Sequence, residues 1–216
     1  MEVNLNNLSK LIEDLKRVMK DKKVKRAVKE RMEEFKRIGQ DTEERIFQEL
    51  CFCLLTANYS ASGGIKIQRE LGDGFIYLSQ EELERKLRKL GHRYPRVRAQ
   101  YIVEARKLLG SLKEILKSYK DVNNLRDWLV KNVKGLGYKE ASHFLRNVGF
   151  EDVAIIDYHI LDLLERYGII KKPKTLTKRR YLEVENILKK VAKEVGIPLG
   201  ELDLYLWYME TGKVLK

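Results

Sequence analysis

Apolar residues recur along most of the chain at spacings of three and four, the period of a helix that buries one face. Leu8, Leu11, Ile12, Leu15, Val18 and Met19 predict a first helix of this kind. From Ile46 to Ala57 the apolar positions become nearly continuous, which predicts a central buried helix too short and too interrupted for a membrane. Asp41-Thr-Glu-Glu44 resembles a capping box in front of it, and Gly63-Gly64 marks a short break behind it. Ser79-Gln-Glu-Glu82 is a second capping box, opening a helix that ends at Gly91, and Pro95 suits the first turn of the next, which runs toward Leu109. Further helices are predicted over Leu125–Val133 and Tyr138–Val148, with Gly135-Leu-Gly137 as a tight break between them. Val153–Ile156 is apolar, but one isolated strand has nothing to pair with, so it reads as a buried connection. Asp157 begins a helix to about Tyr167, Lys171–Lys178 is a basic loop, and the last helices lie near Arg180–Glu194 and Pro198–Thr211. The fold class is all-α.

Charge and composition narrow the function. Lys and Arg number 44 against 32 Asp and Glu in 216 residues, a formal charge of +12. A hydrophobic content of 44% supplies a core and argues against a disordered basic tail. Cys51 and Cys53 are the only cysteines and cannot bridge distant segments, so a disulfide scaffold is excluded. No apolar run is long enough to span a membrane, and MEVNLNNLSK lacks a signal-peptide core, so the expectation is a reducing cytoplasm and no membrane partner. The positive charge fits a nucleic acid, an anionic membrane surface or mere solubility, with nucleic acid favoured. The dense charge of Lys16–Lys36 reads by itself as a solvated helix face. High charge with few Gln and Cys hints at a thermophilic source.

The stretch from Val130 to Leu145 reads V-K-N-V-K-G-L-G-Y-K-E-A-S-H-F-L and meets h-x-x-h-x-G-h-G-x-x-x-A-x-x-h-h, with h apolar, at every specified position. Glycines at Gly135 and Gly137 permit torsions and close approach that a Cβ hinders. The second helix then turns unpaired N–H groups and a positive dipole end toward a phosphate, and Ala141 lets the two helices pack closely. This is the helix-hairpin-helix pattern of DNA binding without base readout; an ordinary αα-turn is the plainer alternative. Lys134, Gly135 and Gly137 are the candidate backbone contacts.

Lys139 stands two residues after Gly137, and Asp157 follows 18 residues later in I-I-D-Y-H-I-L. This spacing resembles the lysine-bearing, bifunctional branch of the helix-hairpin-helix DNA glycosylase superfamily. The resemblance makes Lys139 the nucleophile that attacks C1′ of a damaged nucleoside and Asp157 the catalytic carboxylate. The chemistry is coherent: an amine forms a Schiff base only when deprotonated, and a carboxylate stabilises positive charge on the sugar as the base departs. β-Elimination then cleaves the strand. An N-cap is the plainer role of Asp157.

The C-terminal region has no cysteines, which removes the branches that carry an iron–sulfur cluster there. What remains resembles the type 2 (archaeal and bacterial) 8-oxoguanine DNA glycosylase/AP lyase family, over nearly the whole chain and most sharply at Ile46–Gly64, Val130–Ile160 and Asp203–Lys216. Lys134 departs from it, standing where many superfamily hairpins have proline. The resemblance implies base recognition by Lys216 and Trp207, a polar residue at Asn58 that fills the gap left by the flipped base, and support of the opposite strand by Arg96 and Arg98. Trp207 as a core aromatic, Asn58 as a helix C-cap and both arginines as solvated surface are the plainer readings. His92, His143 and His159 form no metal constellation, so no metal is expected; a monovalent cation on hairpin carbonyls, bridging to phosphate, is possible as in relatives.

Two helical lobes with an interlobe cleft are expected. A central lobe of residues 40–150 contains the hairpin (130–146), and 1–39 with 151–216 form a second lobe holding the base pocket. The protein is expected to act as a monomer on double-stranded DNA with an oxidised base, in the cytoplasm and nucleoid of a prokaryote. A glycosylase for an oxidised pyrimidine or a mismatched base, or a hairpin module that only binds DNA, remain as alternatives.

Overall fold

The computed structural model describes residues 5–216. The first four residues, part of the segment read for a signal peptide, lie outside the described residues. In chain order the helices are α1 (Leu5–Met19), α2 (Lys22–Gln40), α3 (Glu43–Thr56), α4 (Ala61–Leu71), α5 (Gly74–Tyr77), α6 (Gln80–Lys89) and α7 (Pro95–Ala105). Then follow α8 (Leu112–Ser118), α9 (Val122–Asn132), α10 (Tyr138–Asn147), α11 (Tyr158–Arg166), α12 (Lys178–Val195) and α13 (Leu199–Thr211). No strand occurs among the described residues, so the all-α expectation holds. The chain divides into two units, one up to Phe35 together with Phe150–Lys216 and the other Lys36–Gly149, the boundary falling within α2.

In the 36–149 unit, α3 is the centre, and every residue from Ile46 to Thr56 is buried. Helices α4, α5, α7, α8 and α10 pack around it. Glu49 goes inside with it: its carboxylate accepts Gln68 Nε2 of α4 at 2.8 Å and Asn147 Nδ2 of α10 at 3.1 Å. The capping box expected at Asp41–Glu44 does not form, because α3 starts one residue later than that reading and N3 is Arg45. Thr42 is the N-cap, taking the Arg45 N–H at 3.3 Å, while Glu43 turns away to accept the Leu112 N–H at 2.6 Å at the start of α8. The second box forms as expected, with reciprocal Ser79–Glu82 bonds of 3.2 and 2.8 Å.

Gly63-Gly64 does not break the chain. Both residues lie in the first turn of α4, where Ser60 Oγ accepts the Gly63 N–H at 3.1 Å. A Cβ on Gly64 would sit 2.9 Å from Thr56 Cγ2 and 3.0 Å from Phe52 Cε2, so the missing side chain serves the close approach of α4 to α3.

In the other unit α1 packs on α12 and α13, and α11 packs on α13. Val153–Ile156 is buried, non-helical and without a ladder, as the sequence predicts. Its backbone groups are met by side chains of α12 instead. Glu185 accepts the Ala154 N–H at 3.3 Å, and Tyr181 Oη donates to the Ala154 carbonyl at 2.5 Å while accepting the Ile156 N–H at 3.3 Å. This segment delivers the chain to Asp157. Tyr181→Phe strands two buried backbone groups and should cost about 1–3 kcal/mol for each of them. Urea denaturation checks this; unchanged stability would mean that the tyrosine hydroxyl does not carry the segment.

Candidate active site and nucleic-acid interface

The hairpin is built by α9 and α10. Gly135 has φ 87°, and a Cβ there would lie 2.2 Å from Tyr101 Cδ2, so both torsion and space exclude a side chain. Gly137 differs from expectation. Its φ of −90° and ψ of −177° are ordinary extended backbone, and what its missing Cβ avoids is Glu140 Oε2, 3.0 Å away. Gly137 is also the N-cap of α10, which therefore has no side-chain capping bond. Behind the turn Arg126, 1% exposed, runs from α9 to donate to Ser142 Oγ of α10 at 3.0 Å, and its guanidinium lies 5.5 Å from the Tyr138 ring centroid. Tyr138 Oη in turn bonds Asp127. This lock on the hairpin has no local signature in the sequence.

Lys139 is the second residue of α10. Its side chain is 22% exposed, and Nζ pairs with Glu140 Oε1 at 3.7 Å. Lys134 pairs with Glu104 at 3.4 Å, and its Nζ lies 5.9 Å from the Tyr101 ring centroid. The Arg98 guanidinium lies 5.7 Å from the same ring. Tyr101 thus joins α7 to the hairpin through Gly135, Lys134 and Arg98, a role that only the folded geometry reveals.

Asn58 follows the end of α3 with φ 58°, the only non-glycine among the described residues at positive φ, and its side chain is exposed. Three side-chain bonds tie the turn to the α6–α7 segment, two from that segment and one from the turn. Arg98 Nη2 donates to the Ala57 carbonyl at 2.7 Å, His92 Nε2 meets the Leu55 carbonyl at 3.0 Å, and Tyr59 Oη donates to the Gly91 carbonyl at 3.3 Å. Tyr94 N–H donates to His92 Nδ1 at 3.0 Å, which fixes the neutral tautomer with the proton on Nε2. Arg98, expected at the opposite strand, is therefore only 7% exposed here. Burial pushes its guanidinium below the ordinary value, while nearby Glu140 acts the other way. Arg96 is exposed in the first turn of α7.

The remaining candidates belong to the other unit. Asp157 is the N-cap of α11, Oδ1 accepting the Ile160 N–H at 3.0 Å. Two residues on, the His159 ring stands edge-on to Trp207 of α13, 4.7 Å between centroids at 82°. Trp207 is half-buried, and its Nε1–H is buried without an acceptor among the described residues. Lys216 is buried, 8% exposed. Lys139 and Asp157 belong to different units. Cys51 and Cys53 are buried in α3, and burial pushes the Cys51 thiol well up. Among the described residues no three His, Cys, Asp or Glu gather as metal ligands, and no helix is long and apolar enough to cross a membrane.

Residues 28–197 match the family model described as 8-oxoguanine DNA glycosylase. The chain is 60% identical to the 8-oxoguanine DNA glycosylase/AP lyase of Korarchaeum cryptofilum, over 95% of this chain and 98% of that one. The crystal structure of the Thermotoga maritima 8-oxoguanine DNA glycosylase superposes with a TM-score of 0.90 at 54% identity, covering 97% of this chain and 100% of that one. That of the Methanocaldococcus jannaschii 8-oxoguanine glycosylase/lyase, in complex with a 15mer DNA containing 8-oxoguanine, superposes at 0.91 with 53% identity, covering 95% and 99%.

The clamp on Asn58 has a pH signature. Burial holds the His92 imidazole below its ordinary value; the Leu55 bond raises it in part and Arg98 lowers it further. As pH falls through about 6.5 the unfolded chain takes the proton first, so the native state loses stability from there down to the folded value. His92→Gln removes this component, and its loss of urea resistance between about pH 7.5 and about pH 5.5 should be smaller than that of the wild type. Equal losses would refute a neutral His92 clamp.

Proposed function

The chain belongs to the 8-oxoguanine DNA glycosylase family, and we infer that it is a bifunctional enzyme that excises 8-oxoguanine from duplex DNA and then cleaves the strand at the abasic site. The observation that carries this reading is the α9–α10 hairpin, whose second helix has no side-chain cap and bears Lys139 in its first turn. A helix end of this kind receives a phosphate, so the backbone of the duplex is held beside an amine.

The assigned roles follow from the chemistry. With the damaged nucleotide flipped out of the stack, the deprotonated amine of Lys139 attacks C1′ and the C1′–N9 bond breaks, the base leaving with the bonding electrons. Asp157 stabilises the positive charge that develops on the sugar. The attached nitrogen loses a proton, the C1′–O4′ bond breaks and O4′ leaves as a hydroxyl, which opens the sugar ring to a Schiff base; this acidifies the C2′ proton, and its removal expels the 3′ oxygen with its phosphate by β-elimination. Trp207 serves as a stacking platform worth about 1–3 kcal/mol. Lys216 contributes to base selection. 8-Oxoguanine carries an N7–H where guanine has a lone pair, so one acceptor aimed at N7 separates them.

Asn58 is assigned the gap in the duplex, a role that its exposed side chain and left-handed backbone at the end of α3 support. Arg98 acts through that turn, by its bond to the Ala57 carbonyl, while exposed Arg96 and Lys134 serve the strands. None of this requires an organic cofactor or an iron–sulfur cluster. The hairpin side chains Lys134, Gly135, Leu136 and Gly137 offer no oxygen ligand, so a monovalent cation there would be held by main-chain carbonyls. The enzyme works as a monomer with the nucleoid, in the cytoplasm of a prokaryote.

Borohydride should trap a covalent adduct between the protein and an 8-oxoguanine duplex, and Lys139→Gln should abolish it. An adduct persisting in that variant would remove Lys139 as the nucleophile, and preferential excision of thymine glycol would change the substrate. Asp157 can be tested apart from its cap. Asp157→Asn keeps an acceptor for the Ile160 N–H and should leave the melting temperature unchanged while excision falls about 10²-fold or more. Asp157→Ala should lose about 1 kcal/mol of stability as well. Full excision by Asp157→Asn would leave Asp157 with capping alone.

A further inference from the structure

The basic loop between α11 and α12, taken together with the first turn of α12 that continues it, is not explained by the reaction above. Six of the ten residues 171–180 are Lys or Arg and none is acidic. The loop is built rather than loose. The Lys172 N–H donates to Glu165 Oε1 at 2.7 Å, Arg180 Nη1 donates to the Thr175 carbonyl at 3.1 Å, and Thr177 caps α12. Lys172 also braces it against the start of α11. Its Nζ pairs with Asp162 and lies 5.3 Å from the ring centroid of Tyr158, the residue that follows Asp157. Tyr158 is 71% exposed.

The charge of the loop is divided between two uses. Lys172 and Arg179 are paired within the protein, to Asp162 and Glu183. Lys171, Lys174 and Arg180 are exposed and make no ion pair among the described residues. Charges left over on a fixed loop are free for a polyanion without the entropy of ordering a flexible arm.

We propose that this loop, braced on Tyr158, is a second contact for the DNA phosphate backbone, on the Asp157 side of the lesion. The proposal rests on the reading of Asp157 as a residue of the reacting site. A flipped nucleotide stays joined to phosphates on both sides, so a sugar brought to Asp157 brings its flanking phosphates near the next residues of α11 and whatever packs on them. Such contacts carry no base information; they add affinity for damaged and undamaged duplex alike.

The test compares two triple variants of equal charge change. One is Lys171→Gln, Lys174→Gln and Arg180→Gln, and the other removes the exposed Lys22, Lys23 and Lys25 at the start of α2 as glutamines. Binding to lesion and undamaged duplexes is measured across a salt series, with single-turnover excision of 8-oxoguanine beside it. The loop variant should bind both duplexes more weakly, and its slope of log affinity against log salt should be shallower by about 0.9 for each phosphate that the loop neutralises in the wild type. The α2 variant should keep the wild-type slope. An unchanged slope in the loop variant, or equal reductions in both, overturns the proposal. A wild-type chain that excises 8-oxoguanine while the loop variant keeps its slope refutes the loop alone, whereas a wild type without excision refutes the reading it rests on.

Discussion

Helix α3 gives up contact with water from Ile46 to Thr56, and every polar group it takes inside must find its partner there. Glu49 finds Gln68 and Asn147, so α4 and α10 are held to α3 by a buried charge as well as by packing. A hydrogen bond from a neutral amide to a charged group contributes about 1.5–3 kcal/mol, a sizeable part of the roughly 5–15 kcal/mol that stabilises a domain. At the far end of α3 the carbonyls of Leu55 and Ala57 have no helical partner and are taken by His92 and Arg98. Satisfying this helix therefore fixes both the base of the hairpin, through α10, and the turn that carries Asn58.

The same rule shapes the other unit. An extended segment with no neighbouring strand would leave its buried N–H and carbonyl groups unmet, and Tyr181 and Glu185 of α12 meet them. The residue at the end of that segment is Asp157, whose own side chain closes the first turn of α11. Three of the candidate site residues stand one step beyond a buried polar contact: Asn58 beyond Arg98, Asp157 beyond Tyr181, Lys139 beyond the Arg126–Ser142 bond. Side chains held by such contacts keep their positions without help from the substrate.

What can be read from the sequence is what depends on local order. The hairpin is legible because glycines and apolar positions in fixed register leave few alternatives, and the Ser79–Glu82 box because both of its partners lie within one turn. Gly63-Gly64 misleads because a glycine needed for close approach looks the same in sequence as one that ends a helix. The box at Asp41 fails because Thr42 caps the helix instead, which puts Arg45 at N3, while Glu43 bonds the start of α8, 69 residues away. Tyr101, Arg126, Tyr181 and Glu185 give no local signal at all, since their partners lie on other segments. Arg98 is visible as a residue but not as a buried one, because burial of an arginine is set by what surrounds it.

The net charge of +12 resolves into groups with different physical meaning. Pairs one helical turn apart, such as Arg26–Glu30, Arg88–Glu84 and Arg179–Glu183, lie on exposed helix faces, where solvent screening leaves them little effect on stability. Arg98 and Arg126 are structural, their charge absorbed by carbonyls, hydroxyls and aromatic faces. Only cations with neither role are left to meet a polyanion, so charge counted along the sequence overstates the phosphate contacts available. Lys139 belongs to none of these groups. Paired with Glu140, it adds no net charge to the hairpin surface. In the proposed mechanism the hairpin therefore separates its tasks, with the phosphate assigned to main-chain amides at the start of α10 and the sugar to the lysine.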